Sequence, residues 1–316
     1  MGFLLHVAAV AATVVSAGNA VPPAEITVPG TGLFTESITS TADGTVFIGA
    51  MGTGAIFRAR PHAALAELWV KPGTDGLASV LGVLADEKAN TLWTCSFTES
   101  PKGVTPPPSS LHAFELASGA PKGKWHLPTA GAVCNDIAIG ADGTAYVTDT
   151  KNMEILRLEP GGKSLQVWAG HGDFGPKGGV LDGIAIVRGR VVVNALKTHR
   201  LFSVPVESDG GAGRVTEVKL DRPLKFPDGQ RPFGEDGILI VDGGEGGRLM
   251  HIRLAGDLLD SGTVTTLKSG FADGPTSVTV VGDRAYVLEA QFETADRLPA
   301  RPFKATAVPV APPSAP

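Results

Sequence analysis

The stretch Asn135-Asp-Ile-Ala-Ile-Gly-Ala-Asp142-Gly143-Thr-Ala-Tyr-Val-Thr148 shows the unit from which this chain is built. A short apolar segment leads into an Asp-Gly pair, and a second apolar segment with an aromatic residue follows. An Asp-Gly pair between two such segments is typical of a β-hairpin. Residues 36–48 repeat the pattern with Asp43-Gly44 at the turn, and residues 182–193 form a third copy.

Weaker copies begin at Ser79, Asp228 and Asp273, so the pattern recurs about every 45 residues. A repeat of this length made of short strands is typical of propeller blades with four strands each. The six copies therefore predict an all-β fold, a six-bladed β-propeller. The last copy has no obvious fourth strand. We expect residues 24–28 to supply it and close the ring, which removes a free sheet edge.

Three tryptophans, Trp69, Trp125 and Trp168, fall in the segments predicted as fourth strands. Their matching places in successive repeats indicate that they pack between blades. We therefore interpret them as core residues and not as a binding cage.

Residues 1–20 contain no Asp, Glu, Lys or Arg, and most of them are apolar. An apolar stretch of about 15 residues is too short to span a bilayer but suits the core of a signal peptide. The sequence therefore predicts a signal peptide at residues 1–20, a propeller at residues 21–308 and a Pro-rich disordered tail at residues 309–316.

The charge balance limits the classes of partner. Lys and Arg number 27 and Asp and Glu number 32, which gives a net charge of −5. This acidic excess argues against a nucleic-acid binder. No later segment is long and apolar enough to be a membrane span. We expect an exported monomer, periplasmic or secreted, that acts on a small molecule.

The two cysteines, Cys95 and Cys134, are too few for a disulfide scaffold. Both fall near the same face of adjacent blades. A single bridge in an oxidising compartment and two separate buried thiols both remain open.

Common nucleophile and nucleotide-binding motifs are absent from the sequence. The first residue of each inner strand of a propeller lies at one mouth of the central channel. The repeat places these six residues at or near that mouth: Glu36, Ser79, Asn135, Asp182, Asp228 and Asp273. An Asp before Gly also starts ordinary turns, but Glu36 and Asn135 hold the same place without a following Gly.

Four of these side chains, Glu36, Asn135, Asp182 and Asp228, carry oxygen ligands that converge on one axis. Three of the four are carboxylates, which would raise each other's pKa and destabilise the fold without a counter-ion. A divalent cation relieves this repulsion. Oxygen ligands without Cys or His suit a hard ion. The sequence thus predicts a metal site for Ca²⁺, with Zn²⁺, Mn²⁺ and Mg²⁺ as alternatives.

Residues 135–150 and the tripeptide Pro227-Asp228-Gly229 resemble the regucalcin/gluconolactonase family. More distantly, the chain is similar to paraoxonases and strictosidine-synthase-like propellers. The resemblance covers most of the mature chain. It implies a six-bladed propeller with one or more divalent metals in the channel, and hydrolysis of lactones or other esters. By this resemblance Glu36, Asn135 and Asp228 are metal ligands.

The sequence departs from this family in two places. The fourth-blade ligand is usually an Asn in an Asn-Gly pair, whereas here Asp182-Gly183 adds a negative charge. The Arg-x-Asn pattern that contacts sugar lactones is absent, because Val133-Cys134 precedes Asn135. This second departure argues against a sugar lactone as substrate.

In the mechanism that we expect, the metal polarises the carbonyl of a lactone or ester substrate, and water attacks it. Asp228 or a histidine assists the water. His171 and His199 lie in loops that the topology brings to the channel mouth, so both are candidate catalytic residues. Arg231 interrupts an apolar inner strand, and we expect it to point into the channel and bind substrate.

Two other functions remain open. The chain could be a non-catalytic exported propeller that binds a ligand or a protein and holds only a structural metal. It could also form carbon–carbon or carbon–nitrogen bonds, as strictosidine synthase does. That chemistry needs a free carboxylic acid in the pocket, and Glu289 is the candidate.

Overall fold

The computed structural model describes residues 21–100, 104, 106–175, 179–243, 246–292 and 301–311. The signal peptide predicted at residues 1–20 lies outside them, as do residues 312–316 of the predicted tail. The described strands form six sheets, and successive inner strands pack against one another around a central channel. The predicted six-bladed β-propeller is confirmed.

Each blade is an antiparallel sheet whose strands run outward from the channel in chain order. Blade one holds β2 (Thr35–Ser40), β3 (Val46–Ala50), β4 (Ile56–Ala59) and β5 (Glu67–Val70). Blade two holds β6 (Ser79–Asp86), β7 (Thr91–Phe97), β8 (Ser110–Glu115) and β9 (Pro121–His126). Blade three holds β10 (Cys134–Ile139), β11 (Ala145–Asp149), β12 (Glu154–Leu158) and β13 (Gln166–Ala169).

The other three blades follow the same plan with small variations. Blade four holds β14 (Leu181–Val187), β15 (Arg190–Ala195), β16 (Arg200–Pro205) and a short β17 (Thr216–Glu217). Blade five holds β19 (Pro227–Pro232), β20 (Gly237–Asp242), β21 (Arg248–Ala255) and β22 (Ser261–Ser269), with β18 (Lys219–Leu220) parallel to β22. Blade six holds β23 (Pro275–Val281), β24 (Arg284–Glu289), β25 (Phe303–Pro309) and β1 (Glu25–Val28).

Helical structure in the described ranges is limited to two 3₁₀ turns, Thr74–Gly76 and His171–Asp173. None of the helices described there is long and apolar enough to cross a membrane.

The N-terminal strand closes the ring as predicted. β1 pairs antiparallel with β25, so Glu25 faces Thr306 and Val28 faces Phe303. The same strand also reaches blade one, because Ala66 N donates a hydrogen bond to Thr27 O at 2.9 Å. The first described strand therefore joins the last blade to the first and covers the edge that β25 would otherwise expose.

The three tryptophans pack in the repeated way that the sequence indicates. Each lies on a fourth strand and contacts an aromatic ring of the second strand: Trp69 with Phe47, Trp125 with Trp93, and Trp168 with Tyr146. The ring centroids are 4.8–5.6 Å apart, which is the range of favourable aromatic pairs. Trp125 Nε1 donates to Gly162 O at 3.0 Å and Trp168 Nε1 to Gly210 O at 2.9 Å, so both also contact the next blade. The tryptophans thus stabilise the blades and do not form a binding cage.

Cys95 and Cys134 form a disulfide between β7 of blade two and β10 of blade three. Both residues are fully buried. The bridge therefore resolves the open alternative in favour of a covalent link. It also fixes the start of β10, where Asn135 follows directly.

We expect the paired substitution Cys95→Ser and Cys134→Ser to lower the free energy of unfolding by about 3–4 kcal/mol. The bridge spans a sequence separation of 39 residues, and its loss raises the entropy of the unfolded chain. Urea unfolding of the oxidised protein and the double variant measures the difference. Addition of a thiol reductant should lower the stability of the wild type to that of the variant. Equal stability of the oxidised protein and the variant would contradict this assignment.

Candidate functional site

Every inner strand carries a β-bulge near the mouth at which it begins. The register with the second strand shifts between Thr35 and Ser37 in blade one and between Cys134 and Ile137 in blade three. The other four inner strands shift at the matching place. A bulge leaves an extra residue unpaired and redirects its side chain. Each of the six blades therefore has, at the same place, a bulge that can turn one side chain toward the channel.

The residues at these bulges are Glu36, Leu81, Asn135, Asp182, Asp228 and Thr276. We call them the mouth ring. It contains all four predicted metal ligands. In blades two and six the residue at the bulge is not the one that the sequence repeat placed at the mouth. Ser79 begins β6, but Leu81 occupies the bulge. Asp273 precedes β23 and forms an ion pair with Arg301 instead of joining the ring.

The Asp-Gly pairs of blades four and five, Asp182-Gly183 and Asp228-Gly229, lie at the bulges of the inner strands and do not form turns. A Cβ on Gly183 would lie 2.5 Å from Asp228 O, and one on Gly229 would lie 2.6 Å from Thr276 O. Gly82 in blade two shows the same constraint, with Asn135 O at 2.2 Å. Glycine at this place lets the next inner strand approach closely. The alternative of an ordinary Asx turn at Asp182 and Asp228 is therefore wrong.

Polar side chains of the second strands hold the bulges in place. Thr148 Oγ1 donates to Asp182 O at 2.9 Å, and Asn194 Nδ2 donates to Asp228 O at 2.7 Å. Each of these bonds crosses from one blade to the next. The backbone of the mouth ring is thus positioned by buried hydrogen bonds between blades.

Burial and neighbouring carboxylates oppose the ionisation of the three carboxyl groups of the ring. Burial raises the pKa of Glu36, Asp182 and Asp228 above the ordinary range, and neighbouring carboxylates raise it further. The pKa of Asp182 rises to about 7, although hydrogen bonds with the side chains of Asn135 and Asp228 partly offset the effect. The ring can therefore hold protons near neutral pH or accept positive charge in their place.

One cation of the chain itself lies in the channel. Arg231 is buried, and its Nη1 donates to Asp136 Oδ2 at 2.9 Å. Its Nη2 donates to Val83 O at 3.1 Å and contacts Ile38 O at 3.5 Å. Arg231 thus reaches from blade five to blades one, two and three, so it points into the channel as predicted. In this arrangement its terminal nitrogens hold the inner strands together.

Asp136 is a channel residue to which the sequence analysis assigned no role. It occupies the second bulge position of blade three, where blades two, four and five have glycine. Its Oδ2 also accepts a hydrogen bond from Ile184 N at 3.2 Å. The sequence does carry a signal for Asp136, because an acid stands where blades two, four and five repeat a glycine.

The two candidate histidines belong to the face of the mouth ring. His199 is exposed in the turn that follows β15, and β15 ends beside the start of β14, where Asp182 lies. His171 begins the 3₁₀ turn before β14, and its side chain lies outside the described part of the structure. The backbone thus brings both residues to the predicted face.

Glu289 is the candidate acid for the bond-forming function, and its carboxyl group makes a structural hydrogen bond. It is buried at the end of β24, and its Oε2 accepts a hydrogen bond from Asp273 N at 3.1 Å. Asp149 in blade three accepts a bond from Val133 N at 3.1 Å in the same way. The carboxyl group of Glu289 therefore caps a loop that leads into an inner strand.

Solved structures share this fold across nearly the whole chain. The major allergen Mala s 1 of Malassezia sympodialis matches with a TM-score of 0.71 and 17% identity, over 91% of this chain and 96% of the allergen. A gluconolactonase of Xanthomonas campestris matches with a TM-score of 0.62 and 13% identity, over 90% of this chain and 89% of that chain.

A third match, the calcium-binding protein regucalcin, comes from Agrobacterium tumefaciens. Its TM-score is 0.59 at 15% identity, over 91% of this chain and 95% of that chain. No protein-family model matches the sequence, and no curated protein matches it. The resemblance stated from the motifs is thus confirmed at the level of the fold.

We expect the stability of the protein to fall as pH rises from about 5 to 8 when a chelator removes divalent cations. The raised pKa values mean that the folded ring binds more protons than the unfolded chain over this range, so the unfolded state gains as the protons leave. The loss begins above the ordinary pKa of a carboxyl group and, for Asp182, ends near its raised pKa of about 7. We expect it to amount to about 2–4 kcal/mol. Melting temperatures measured across this pH range test it.

Asp182→Asn removes one titrating group and should flatten this pH dependence, because fewer protons then distinguish the two states. Exposed Glu235→Gln is the matched control and should leave the slope unchanged. An undiminished slope in Asp182→Asn would contradict the assignment of the effect to the ring.

We expect Arg231→Met to lower the free energy of unfolding by about 3–5 kcal/mol, because it leaves the Asp136 carboxylate buried without its partner. Removal of both charges in Arg231→Met/Asp136→Leu should recover most of that loss. Urea unfolding of the wild type, the single variant and the double variant measures both changes in the free energy of unfolding. Equal stability of the single and double variants would show that the pair does not act as a unit.

Proposed function

We propose that this protein hydrolyses lactones or related esters and uses a divalent cation bound at the mouth ring. The observation that carries the proposal is the convergence of Glu36, Asp182 and Asp228 in a buried setting that raises the pKa of each. Carboxyl groups with strongly perturbed pKa values cluster at functional sites. An ordinary structural position would not gather three of them around one channel.

The donor chemistry of the ring fits a hard cation. Three carboxyl groups and the Asn135 amide supply oxygen ligands, which suit Ca²⁺. The Thr276 hydroxyl occupies the bulge of blade six, is buried and has no hydrogen-bond partner in the described part of the chain. A bound cation would satisfy this oxygen and neutralise the carboxylates. Within the described residues, however, no three of the His, Cys, Asp and Glu side chains already stand close enough to form a metal cluster.

In this proposal Glu36, Asn135, Asp182 and Asp228 hold the cation, which polarises the substrate carbonyl when bound. Asp228 or a loop histidine, His171 or His199, receives the proton of the attacking water. Arg231 donates two of its nitrogens to protein oxygens, so we no longer assign it direct contact with the substrate.

The comparisons support this choice at a coarse level. Two of the structures that share the fold are named gluconolactonase and calcium-binding regucalcin. Because a fold hosts many functions, these names favour a metal and a lactone substrate without assigning either to this chain. The missing Arg-x-Asn pattern before Asn135 still argues against a sugar lactone.

A non-catalytic binding protein is the second candidate. A cation held by the mouth ring would stabilise the folded chain whether or not a reaction takes place there, and the fold by itself assigns no reaction. In that case the cation would contribute stability only.

Export is part of the proposal. The Cys95–Cys134 disulfide supports it, because such bridges form and persist mainly in oxidising compartments. The signal peptide at residues 1–20 and the monomeric state remain predictions.

We expect Asp228→Asn to lower kcat/KM for lactone hydrolysis by about 10²–10⁴-fold, the range for loss of a general base. The assay uses the purified chain with Ca²⁺ and a panel of aliphatic and aromatic lactones and esters. Exposed Glu87→Gln is the control and should hydrolyse them at the wild-type rate. Calorimetric titration with Ca²⁺ should show weaker binding to Asp228→Asn.

The same experiment separates the two candidates. A wild-type chain that binds Ca²⁺, gains thermal stability from it and leaves the whole panel intact would favour the binding protein. A chain whose stability and activity are both indifferent to Ca²⁺ would overturn the metal site itself.

A further inference from the structure

A cavity lies at the opposite end of the channel from the mouth ring. It has a volume of about 340 Å³ and is bounded by the lower halves of the inner strands of blades two to five. The turns that lead out of β6 and β10 form part of its edge. We call it the lower cavity. All of its lining residues belong to the described part of the chain.

The walls of the lower cavity are apolar. They are formed by Leu84, Ile137, Ile139, Ile184 and Ile186. Ile137 and Ile184 are fully buried in the core, whereas Ile139 and Ile186 are half-buried and face the space. Apolar walls of this kind favour the transfer of an apolar molecule out of water.

The inner end of the lower cavity is closed by Arg231. The guanidinium turns upward toward Asp136, so Nη1 and Nη2 bond to protein oxygens on that side. Nε is nearer the backbone, is buried and has no hydrogen-bond partner among the described residues. Because almost no surface of Nε is accessible, a ligand in the lower cavity meets the apolar walls and not a free donor of Arg231.

The charges around the lower cavity favour a neutral ligand. The positive charge of Arg231 is already matched by Asp136 at 2.9 Å. The rim contains two acids, Asp86 and Glu87, and one cation, Lys88. An anion would thus meet no excess of positive charge, and it would lose its hydration on entering.

We propose that the lower cavity is a binding site for a neutral, apolar molecule such as a long-chain ketone. Its apolar body lies against Ile139 and Ile186. Arg231 separates this site from the mouth ring, so the inference does not depend on the hydrolytic function proposed above.

The test uses prodan, a neutral fluorescent naphthyl ketone whose emission shifts to the blue in an apolar site. We expect one bound prodan per chain and its displacement by decan-2-one. The anion decanoate should displace it at least about tenfold less effectively, since it has the same length but carries a charge.

Ile186→Trp fills the lower cavity and should weaken prodan binding at least about tenfold, whereas Ile186→Ala keeps the space open and should stay within about threefold of wild type. If Ile186→Trp fails to fold, as its melting temperature would show, Ile139→Trp replaces it. Two control variants lie at the opposite face: Phe226→Ala, which changes an exposed side chain, and Asp228→Asn in the mouth ring. Both should bind prodan as the wild type does. Asp228→Asn also keeps the two proposals apart, because it removes the proposed hydrolysis only.

Three results would overturn the site. The first is no prodan binding at concentrations up to about 100 µM, since a ligand of this size in a fitted pocket should bind more tightly. The second is binding that survives Ile186→Trp and is lost in Phe226→Ala, which would place prodan at the other mouth. The third is stronger displacement by decanoate than by decan-2-one.

Discussion

Negative charge enclosed in the channel is the constraint on which the rest of this site depends. Three carboxyl groups share a space from which most water is excluded. Burial raises the pKa of each, and neighbouring carboxylates, Asp136 among them, raise it further. Such a ring must retain protons, bind a cation or lose stability. The first two responses are also the two that catalysis uses, because a proton can be transferred and a cation can polarise a carbonyl group. The same physical feature therefore links the stability of the fold to its proposed chemistry.

The rest of the propeller holds this unfavourable arrangement in place. Bulges place one residue of each inner strand off the ladder, and hydrogen bonds such as Asn194 Nδ2 to Asp228 O join neighbouring blades. The Cys95–Cys134 disulfide and the strand β1 add links between blades. Every blade packs against two neighbours. Contacts among all six inner strands therefore offset the free-energy cost of burying these carboxyl groups.

Arg231 and Asp136 divide the channel into two regions of different chemistry. On one side lie the acids of the mouth ring, and on the other lies an apolar cavity of about 340 Å³. A guanidinium at this place supplies a permanent positive charge that does not depend on a bound ion. Proteins that share the fold include an allergen and a gluconolactonase, so the residues in these two regions, and not the blades, must decide the function.

The sequence alone determined the six blades, the closing strand and the four polar side chains at the channel mouth, because hairpin turns and alternating apolar segments are local features that recur along the chain. The tertiary structure decided the place of Leu81 and Thr276 in the ring, because a bulge changes the register without leaving a mark in composition. It also decided the disulfide and the pairing of Arg231 with Asp136. These contacts join residues from different blades, 95 positions apart for the ion pair, and only the closure of the ring brings them together.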